Sequence, residues 1–372
     1  MAVDPNTIDS ARGHISLRSV VAAAVSLQYQ RHEQVFVVGG FVRDLLLNRS
    51  IGDFDVDLVV EGDGLAFARE LRGVIGGELR EHGSFLTAKL TAPFTMAGGD
   101  APFLSEVDIA TARKEEYSRP GALPTVTPTT IDMDLWRRDF SANALALPLE
   151  VYRDFLGGGV SHESLASKIV DPCGGISDLQ SNDIRILHPK SFIDDPTRLF
   201  RAVRYAVRLS FHFDKSTLSG FYDAVRSGAL ATLTPRRIWN EVVCALDESK
   251  PSEVLQEFVE RGLLTHLTIV PPDQEDAVIA ALERIEKQRS LVSPEQFKDA
   301  GKLIVLAGML VGGREDVAQA TGEGGKKLKV AARVADGVTL PGANPSNEEA
   351  LALYGLHGSA DFLRVLTRKV SA

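Results

Sequence analysis

Two aspartates on a short apolar segment are the residues best suited to chemistry on a phosphate ester. Asp55 and Asp57 alternate with apolar residues up to Val60, which predicts a β-strand with both carboxylates on one face. Carboxylates at this spacing bind hard divalent cations, typically Mg²⁺. Two such cations would activate an attacking hydroxyl and stabilise a departing pyrophosphate, so the pair predicts nucleotidyl transfer. Asp53 is interpreted as a neighbour of the pair, not as a ligand.

A glycine turn precedes this strand and offers a place for a phosphate group. Apolar residues 35–38 predict a strand that ends at Gly39 and Gly40 and turns at once into a helix with Arg43 and Asp44. The bare N–H groups at such a helix start favour an anionic phosphate. A tight turn and a solvated strand edge are the ordinary interpretations of the two motifs taken singly. Their order within one short stretch favours a nucleotide site.

A third carboxylate is expected on a neighbouring strand, because two-metal sites generally use more than two protein oxygens. Glu106 and Asp108 alternate within residues 105–112, a predicted strand, and would share one face. Asp108 is the better candidate, since it directly precedes the run Ile-Ala-Thr-Ala-Arg, the position of the Asp or Glu in the family that the motifs resemble, which is named below. A solvated strand edge is the alternative for Asp108.

A compact cluster of charged and amide side chains follows further along the chain. Arg137, Arg138, Asp139 and Asn143 lie within seven residues, just before an apolar run. Arginine forks match phosphate oxygens, and an aspartate accepts hydrogen bonds from ribose hydroxyls. The cluster therefore suits a nucleotide, with a surface ion-pair cluster as the alternative.

A carboxylate and a guanidinium at the start of a later helix are complementary to a nucleobase. Asp195 before Pro196 predicts a helix N-cap, and Asp195 and Arg198 could also simply pair across one turn. The carboxylate can accept from an exocyclic amine while the guanidinium donates to a ring nitrogen. Cytosine and adenine satisfy both, whereas guanine and uracil present a carbonyl to the carboxylate. The pair predicts selection of CTP and ATP without a nucleic-acid template; Arg201 and Arg204, on the same helix, are further nucleotide-binding candidates.

Composition bounds the class of protein. The 372 residues, 44% hydrophobic and 24% charged, indicate a globular chain of two or more domains. The net charge of −9 argues against an overall basic surface, but residues 183–237 hold twice as many Lys and Arg as acidic residues. This excess favours contact with the phosphate backbone of a nucleic acid, with a solvated helix face as the alternative.

Targeting and redox signals are weak. The first 14 residues lack the basic and apolar regions of a secretion signal, and the apolar run at 303–311 is too short for a bilayer, so no membrane partner is expected. Cys173 and Cys244 are far apart and have no metal-ligand spacing. A reducing, cytoplasmic location is expected.

Periodicity and breakers predict the elements that carry these residues. Residues 117–130, with three prolines, predict an irregular loop, and 93–102 a turn or loop. Helices are expected at 15–30, 64–73, 195–209, 236–246, 251–261 and 274–288, and a strand pair at 78–90. Strand signals fade from about residue 150, so an α/β head followed by a helical body is the simplest architecture.

Taken in this order, the motifs resemble those of the class II tRNA nucleotidyltransferases, or CCA-adding enzymes, and of the related bacterial poly(A) polymerases, over about residues 33–246. The resemblance implies an α+β head of the DNA polymerase β-like nucleotidyltransferase type, followed by an all-α neck, body and tail. The domains expected on this basis are a helical lead-in (1–30), a catalytic head (31–150), a helical neck with the nucleotide-recognition helix (151–265) and a helical body and tail that binds tRNA (266–372). Asp194 departs from the usual Glu, and residues 235–237 depart from the usual Ser-x-Glu-Arg.

The resemblance also implies the roles of the site residues. The metal and triphosphate site would comprise Gly39, Gly40, Arg43, Asp44, Asp55 and Asp57. Contacts to the triphosphate and ribose would come from Arg137, Arg138 and Asp139, with Asn143 following, and the base would be read by Asp195 and Arg198.

The implied activity is Mg²⁺-dependent addition of CMP, AMP or both to the 3′ end of tRNA. A-adding-only and CC-adding-only enzymes, which work with a second nucleotidyltransferase, remain open, and residues 117–124 resemble the loop of both complete CCA-adders and A-adders. A poly(A) polymerase would be expected to have a strongly basic tail. A non-catalytic RNA-binding scaffold would be expected to lack the carboxylates, and a small-molecule nucleotidyltransferase would not need so long a helical body.

Overall fold

The computed structural model describes residues 15–49, 56–95, 103–264, 272–311, 316–337 and 345–359. Two compact units divide between Pro189 and Lys190. The first contains a mixed sheet with helices and the second is almost entirely helical, which confirms the predicted α+β head followed by helical chain. No helix in the described part of the chain is long and apolar enough to cross a membrane. The four predicted domains stay a prediction.

A seven-stranded sheet organises the first unit. Its strand order is β1-β5-β6-β3-β2-β9, and β4 also pairs with β5. β3 runs parallel to β6 and antiparallel to β2. The strands are β1 (Ile15–Ser16), β2 (Gln34–Val38), β3 (Val56–Glu61), β4 (Glu78–His82), β5 (Thr87–Thr95), β6 (Phe103–Thr111) and β9 (Ala146–Pro148), with β7 (Arg113–Glu116), β8 (Thr125–Pro128) and β10 (Asp183–Ile184) outside this sheet.

Helices and a buried apolar cluster cover the sheet. Helix α3 packs against β5 and β6, and α1 packs against α3 and α5. Phe36 and Val59 contribute to a cluster that also holds Ile131 and Leu135 of α4. Asp57 shares the face of β3 with Val59, because side chains alternate along a strand. The helices of this unit are α1 (Leu17–Arg31), α2 (Gly40–Leu46), α3 (Gly64–Ile75), α4 (Ile131–Trp136), α5 (Leu149–Leu156), α6 (His162–Leu165) and α7 (Gly175–Ser181).

Two predictions of irregular chain are wrong in part. Strand β5 continues through Thr95, because Phe94 pairs with Phe103 of β6. Residues 125–128 are not irregular but form β8, which pairs with β7 as a separate antiparallel ribbon. Pro128 is tolerated because it lies at the end of this two-stranded ribbon, where a missing N–H removes little pairing. Residues 113–128 are called the β7–β8 ribbon below.

The second unit confirms the helices predicted from periodicity, with small shifts of their ends. Helix α9 begins at Thr197 with Pro196 as its cap residue, two residues after the predicted start. The helices are α8 (Ser191–Asp194), α9 (Thr197–Leu209), α10 (Lys215–Arg226), α11 (Pro235–Leu246), α12 (Pro251–Glu260), α13 (Pro272–Glu286), α14 (Pro294–Val311), α15 (Val317–Thr321), α16 (Gly325–Asp336) and α17 (Asn347–His357), and β11 (His212–Phe213) is a short strand between α9 and α10.

Candidate active site

Two carboxylates lie side by side on the parallel pair β3 and β6. Asp57 and Asp108 are register partners, with Asp57 half-buried and Asp108 exposed. Paired carboxylate oxygens at a solvent-accessible sheet surface are the donor set that hard divalent cations prefer. No group of three or more His, Cys, Asp or Glu side chains that could hold a metal is present among the residues the structure describes. Asp53 and Asp55 lie outside those residues.

The glycine turn lies directly against this carboxylate pair. Gly39 has a φ of +74°, a left-handed conformation that glycine adopts without strain. A Cβ atom at Gly39 would lie 3.1 Å from Arg138 Nη1 and 3.7 Å from Asp57 Oδ2. The Gly39 N–H donates to Leu145 O at 3.1 Å, which ties the turn to the chain before β9. The predicted turn, carboxylate and arginine therefore meet at one point.

Lys89 lies beside Asp108, on strand β5, which pairs with β6 on the side away from β3. Lys89 Nζ contacts Glu106 and lies 3.6 Å from Asp108 Oδ2, so the two acidic side chains share a face as predicted. The hydrogen bond that Lys89 donates to the Glu106 carboxylate, together with the negative charge of Asp108, raises the pKa of Lys89 above its usual value. Lys89 pairs with both carboxylates, but only Asp108 is the register partner of Asp57, which favours Asp108 over Glu106 as a metal ligand.

The charged residues that follow the glycine turn form a buried network. Arg43 is 2% exposed and donates to both carboxylate oxygens of Asp44 and to Asn143 Oδ1 at 2.6 Å. Asn143 in turn donates to Asp139 Oδ1 at 3.1 Å. Gly40 lies against the Arg43 guanidinium, 3.3 Å from a Cβ position to Nη2. The structure thus brings these five predicted residues together, and Arg43 links the turn to the segment before β9.

A buried aspartate that the sequence analysis missed holds both predicted arginines. Asp134 is fully buried; its Oδ1 accepts from Arg137 and its Oδ2 accepts from Arg138 at 3.0 Å. It also accepts the backbone N–H of Arg113 at 3.0 Å. The signal was present as carboxylate-to-guanidinium spacings of three and four residues, but only burial shows that this pairing is more than a surface contact.

Asp134 remains charged despite its burial. Burial raises the pKa of its carboxyl, but the charges of Arg138 and Arg137 and the Arg113 N–H more than offset this, so its pKa is below the usual value. A depressed folded-state pKa stabilises the protein above the unfolded value, about 3.9, and that stabilisation is lost as the pH falls through the folded value.

Asp134→Asn is therefore expected to lower the free energy of unfolding at pH 7 by about 3–5 kcal/mol, since it leaves two arginines without their shared counter-charge. The difference from the parent protein should persist down to about pH 4 and shrink below it. Urea unfolding at several pH values measures this. Asp132→Asn, an exposed position on the same helix, is the control. Equal effects of the two changes would contradict the assignment.

The base-reading candidates in the second unit have defined partners. Asp195 Oδ1 accepts from the Thr197 N–H at 3.2 Å and from Thr197 Oγ1 at 2.8 Å, so it is bonded to the first residue of α9, but the cap residue is Pro196 and not Asp195 as predicted. The same oxygen accepts from Arg237 Nη2 at 2.9 Å. Arg198 is 6% exposed and donates from Nη1 to Ser191 Oγ at 2.8 Å. Arg237, which sequence reasoning did not include among the site residues, therefore orients Asp195.

The other two arginines of α9 contact groups within the same unit. Arg204 is 8% exposed and donates from Nε to Glu248 and from Nη1 to Glu241. Arg201 donates to the Tyr205 hydroxyl at 2.9 Å and lies over its ring. Burial raises the pKa of Glu241, while the charges of Arg204 and Arg201 oppose that rise. Arg204 is thus part of a buried ion-pair cluster that supports α9, and its predicted nucleotide contact stays a prediction.

Comparisons with known proteins relate the first unit to one family. Residues 35–185 match the family described as the poly A polymerase head domain. The A-adding tRNA nucleotidyltransferase of Geobacter sulfurreducens is 40% identical over 230 residues, 62% of this chain and 24% of that protein. The CC-adding tRNA nucleotidyltransferase of Deinococcus radiodurans is 34% identical over 263 residues, 71% of this chain and 61% of that protein.

The fold of the whole chain also has a solved counterpart. A CCA-adding enzyme in its apo form II superposes with a TM-score of 0.67 at 25% sequence identity, covering 98% of this chain and 85% of that one. The chain spans about a quarter of the first curated relative and about three fifths of the second. The resemblance found in the motifs is confirmed by both kinds of comparison.

Proposed function

We propose that this chain, whose residues 35–185 match the poly A polymerase head-domain family, is a tRNA nucleotidyltransferase that adds AMP, CMP or both to the 3′ end of tRNA. The observation that carries the proposal is the meeting of Gly39, Asp57 and Arg138 beside Asp108. This arrangement joins a phosphate-binding turn, a guanidinium and a carboxylate pair, the groups that transfer of a nucleotide requires.

Mg²⁺ is the metal proposed for this site. Asp57 and Asp108 would hold it, joined by Asp55 as the sequence motif predicts. When bound, the metal lowers the pKa of the attacking hydroxyl and neutralises charge on the phosphates. The chain's own residues have separate tasks. The glycine turn and Arg138 orient the triphosphate, and the carboxylates of Asp57 and Asp108 provide the negative charge that would hold the metal in position.

Selection of the incoming nucleotide is assigned to Asp195 and Arg198 in the second unit. Arg237 and Thr197 hold the Asp195 carboxylate in one orientation, which a hydrogen-bond acceptor needs if it is to discriminate between bases. The Arg198 side chain is fixed by Ser191. The proposed substrates are therefore CTP and ATP, which both present an amine to the carboxylate, and no template is needed.

Addition of the terminal A is the finer specificity that the comparisons favour. The relative named an A-adding enzyme is 40% identical, against 34% for the relative named a CC-adding enzyme. If the chain adds only A, its partner in the cell is a separate CC-adding nucleotidyltransferase. Complete CCA addition remains the other candidate, since the solved counterpart is a CCA-adding enzyme.

The remaining alternatives are less well supported. A scaffold without activity would not be expected to retain Asp57 and Asp108 in register beside a glycine turn. A poly(A) polymerase needs RNA contacts that tolerate any sequence, and the net charge of −9 offers little non-specific attraction for RNA. A tRNA substrate implies a cytoplasmic location.

Primer extension with three tRNAs tests the proposal. The tRNAs end at the discriminator base, after one C and after two Cs, and each receives CTP, ATP or both. Extension of only the third tRNA by a single A is the expected result. Extension of all three to CCA would establish complete CCA addition, and long A tails would establish a poly(A) polymerase. No extension of any tRNA would contradict the proposed function.

A further inference from the structure

The two adjacent arginines of the site differ in how many of their donors the protein itself uses. Arg137 donates from Nε and Nη2 to Asp134 Oδ1, from Nε also to Arg113 O, and from Nη1 to Glu115 Oε1 at 2.9 Å. Arg138 donates from Nε and Nη2 to Asp134 Oδ2. Its Nη1 makes no hydrogen bond to the described part of the chain. Every nitrogen of Arg137 is engaged, and one nitrogen of Arg138 remains available.

The available nitrogen faces the glycine turn. Arg138 Nη1 lies 3.1 Å from the position of a Cβ on Gly39, and Asp57 Oδ2 lies 3.7 Å from that same position. The Arg138 side chain is 16% exposed, so a ligand can still reach it. A guanidinium N–H in this place can donate a charge-assisted hydrogen bond to a phosphate oxygen at the turn.

The engaged arginine faces away from the turn, toward the β7–β8 ribbon. Glu115, whose side chain is 9% exposed, accepts from Arg137 and from the Tyr117 hydroxyl and lies 3.5 Å from Arg113 Nη2. Burial lowers the pKa of Arg137, but Asp134 and Glu115 raise it further than burial lowers it. Arg137 is thus neutralised by two carboxylates and joins the end of α4 to the ribbon.

We propose that Arg137, unlike Arg138, does not contact the triphosphate but is a positioning residue that, with Glu115, fixes the β7–β8 ribbon beside the site, whereas Arg138 makes the triphosphate contact of the proposed function through Nη1. The inference rests on the proposed function in taking the ligand to be a nucleoside triphosphate. Arg137 uses Asp134 Oδ1 and Arg138 uses Oδ2, so a change at Arg137 leaves the pairing of Arg138 in place.

Two measurements on the 372-residue chain separate the tasks: the Kd for ATP with Mg²⁺ and no RNA, and amide hydrogen exchange at residues 113–128. Arg138→Lys is expected to weaken ATP binding about tenfold or more, the value of one charged hydrogen bond, with unchanged ribbon exchange. Arg137→Lys and Glu115→Gln should speed ribbon exchange and change the Kd by less than about threefold.

A double variant and a control complete the design. Arg137→Lys combined with Glu115→Gln should exchange no faster than the more severe single change, because both remove the same ion pair. Glu116→Gln, the adjacent carboxylate whose side chain is 72% exposed and pairs with Lys114, should alter neither measurement. If Arg137→Lys melts at a lower temperature as a whole, Glu115→Gln tests the same ion pair from its other side.

The inference is overturned if Arg137→Lys weakens ATP binding as much as Arg138→Lys while ribbon exchange stays unchanged, or if Arg138→Lys leaves the Kd unchanged. Failure of the proposed function has a different signature. The expected pattern of Kd and exchange without extension of any tRNA would remove the proposed function and leave the division of tasks intact. Extension of tRNA without that pattern would remove the division of tasks alone.

Discussion

Asp57→Asn should abolish transfer of nucleotides to tRNA while tRNA binding is retained. The change removes one negative charge from the carboxylate pair but keeps the size of the side chain. Because a bound metal contributes several kcal/mol to the transition state, the rate should fall by about a thousandfold or more. Single-turnover extension measures the rate, and filter binding measures the affinity for tRNA.

The matched control is Glu78→Gln, an exposed carboxylate on β4 of the same sheet. It removes the same charge at a strand remote from β3 in the sheet order, and it should leave the rate unchanged. Asp55→Ala is expected to abolish incorporation as Asp57→Asn does. Retention of most of the activity by Asp57→Asn would remove the proposed mechanism.

Asp195→Asn should relax the choice among nucleotides. The side chain keeps its size, and its Oδ1 can still accept the N–H of Thr197, but its charge is gone and its amide presents donors as well. Discrimination against UTP and GTP rests on an acceptor facing a carbonyl, which costs about 1–3 kcal/mol. The ratio of kcat/KM for ATP to that for UTP is therefore expected to fall by about tenfold or more.

An aspartate that caps another helix provides the control for this effect. Asp214 accepts from the N–H groups of Ser216 and Thr217 at the start of α10. Asp214→Asn changes a cap in the same unit without touching the proposed base-reading pair. Its nucleotide ratio should equal that of the parent protein. If Asp195→Asn and Asp214→Asn show the same ratio, Asp195 only stabilises the start of its helix.

Arg237 contacts Asp195, and this contact could not be identified from the sequence. It lies 42 residues after Asp195, and its guanidinium reaches the carboxylate only because α11 packs against α9. Within residues 235–237 the sequence shows two arginines and a departure from the family pattern, with nothing to say which of the two contacts the site.

Local motifs were predictable because their geometry is set by neighbouring residues. The strand before Gly39, the turn itself and the alternation of Asp57 with Val59 follow from apolar runs and spacing. The hydrogen bond that the Thr197 N–H donates to Asp195 likewise joins residues only two positions apart in the sequence. These features needed no knowledge of the rest of the fold.

Features that depend on burial or on distant pairing were not predictable. In the sequence, Asp134 is an ordinary acidic residue near the start of a helix. It becomes the shared partner of two arginines because α4 packs into the buried apolar cluster. Strand β8 was missed because its partner, β7, lies across a proline-containing loop. The difference between Arg137 and Arg138 likewise arises from Glu115, whose position depends on that ribbon.

Incubation of the 372-residue chain with a tRNA ending in two Cs and with ATP labelled separately on the α- and γ-phosphates is the most direct test of nucleotidyl transfer. We expect the α label to enter the tRNA as one added AMP and the γ label to leave in pyrophosphate, in equal amounts and only with a divalent metal. Asp57→Asn should give neither product. Transfer of the γ label to the tRNA, or release of phosphate without labelling of the tRNA, would contradict nucleotidyl transfer.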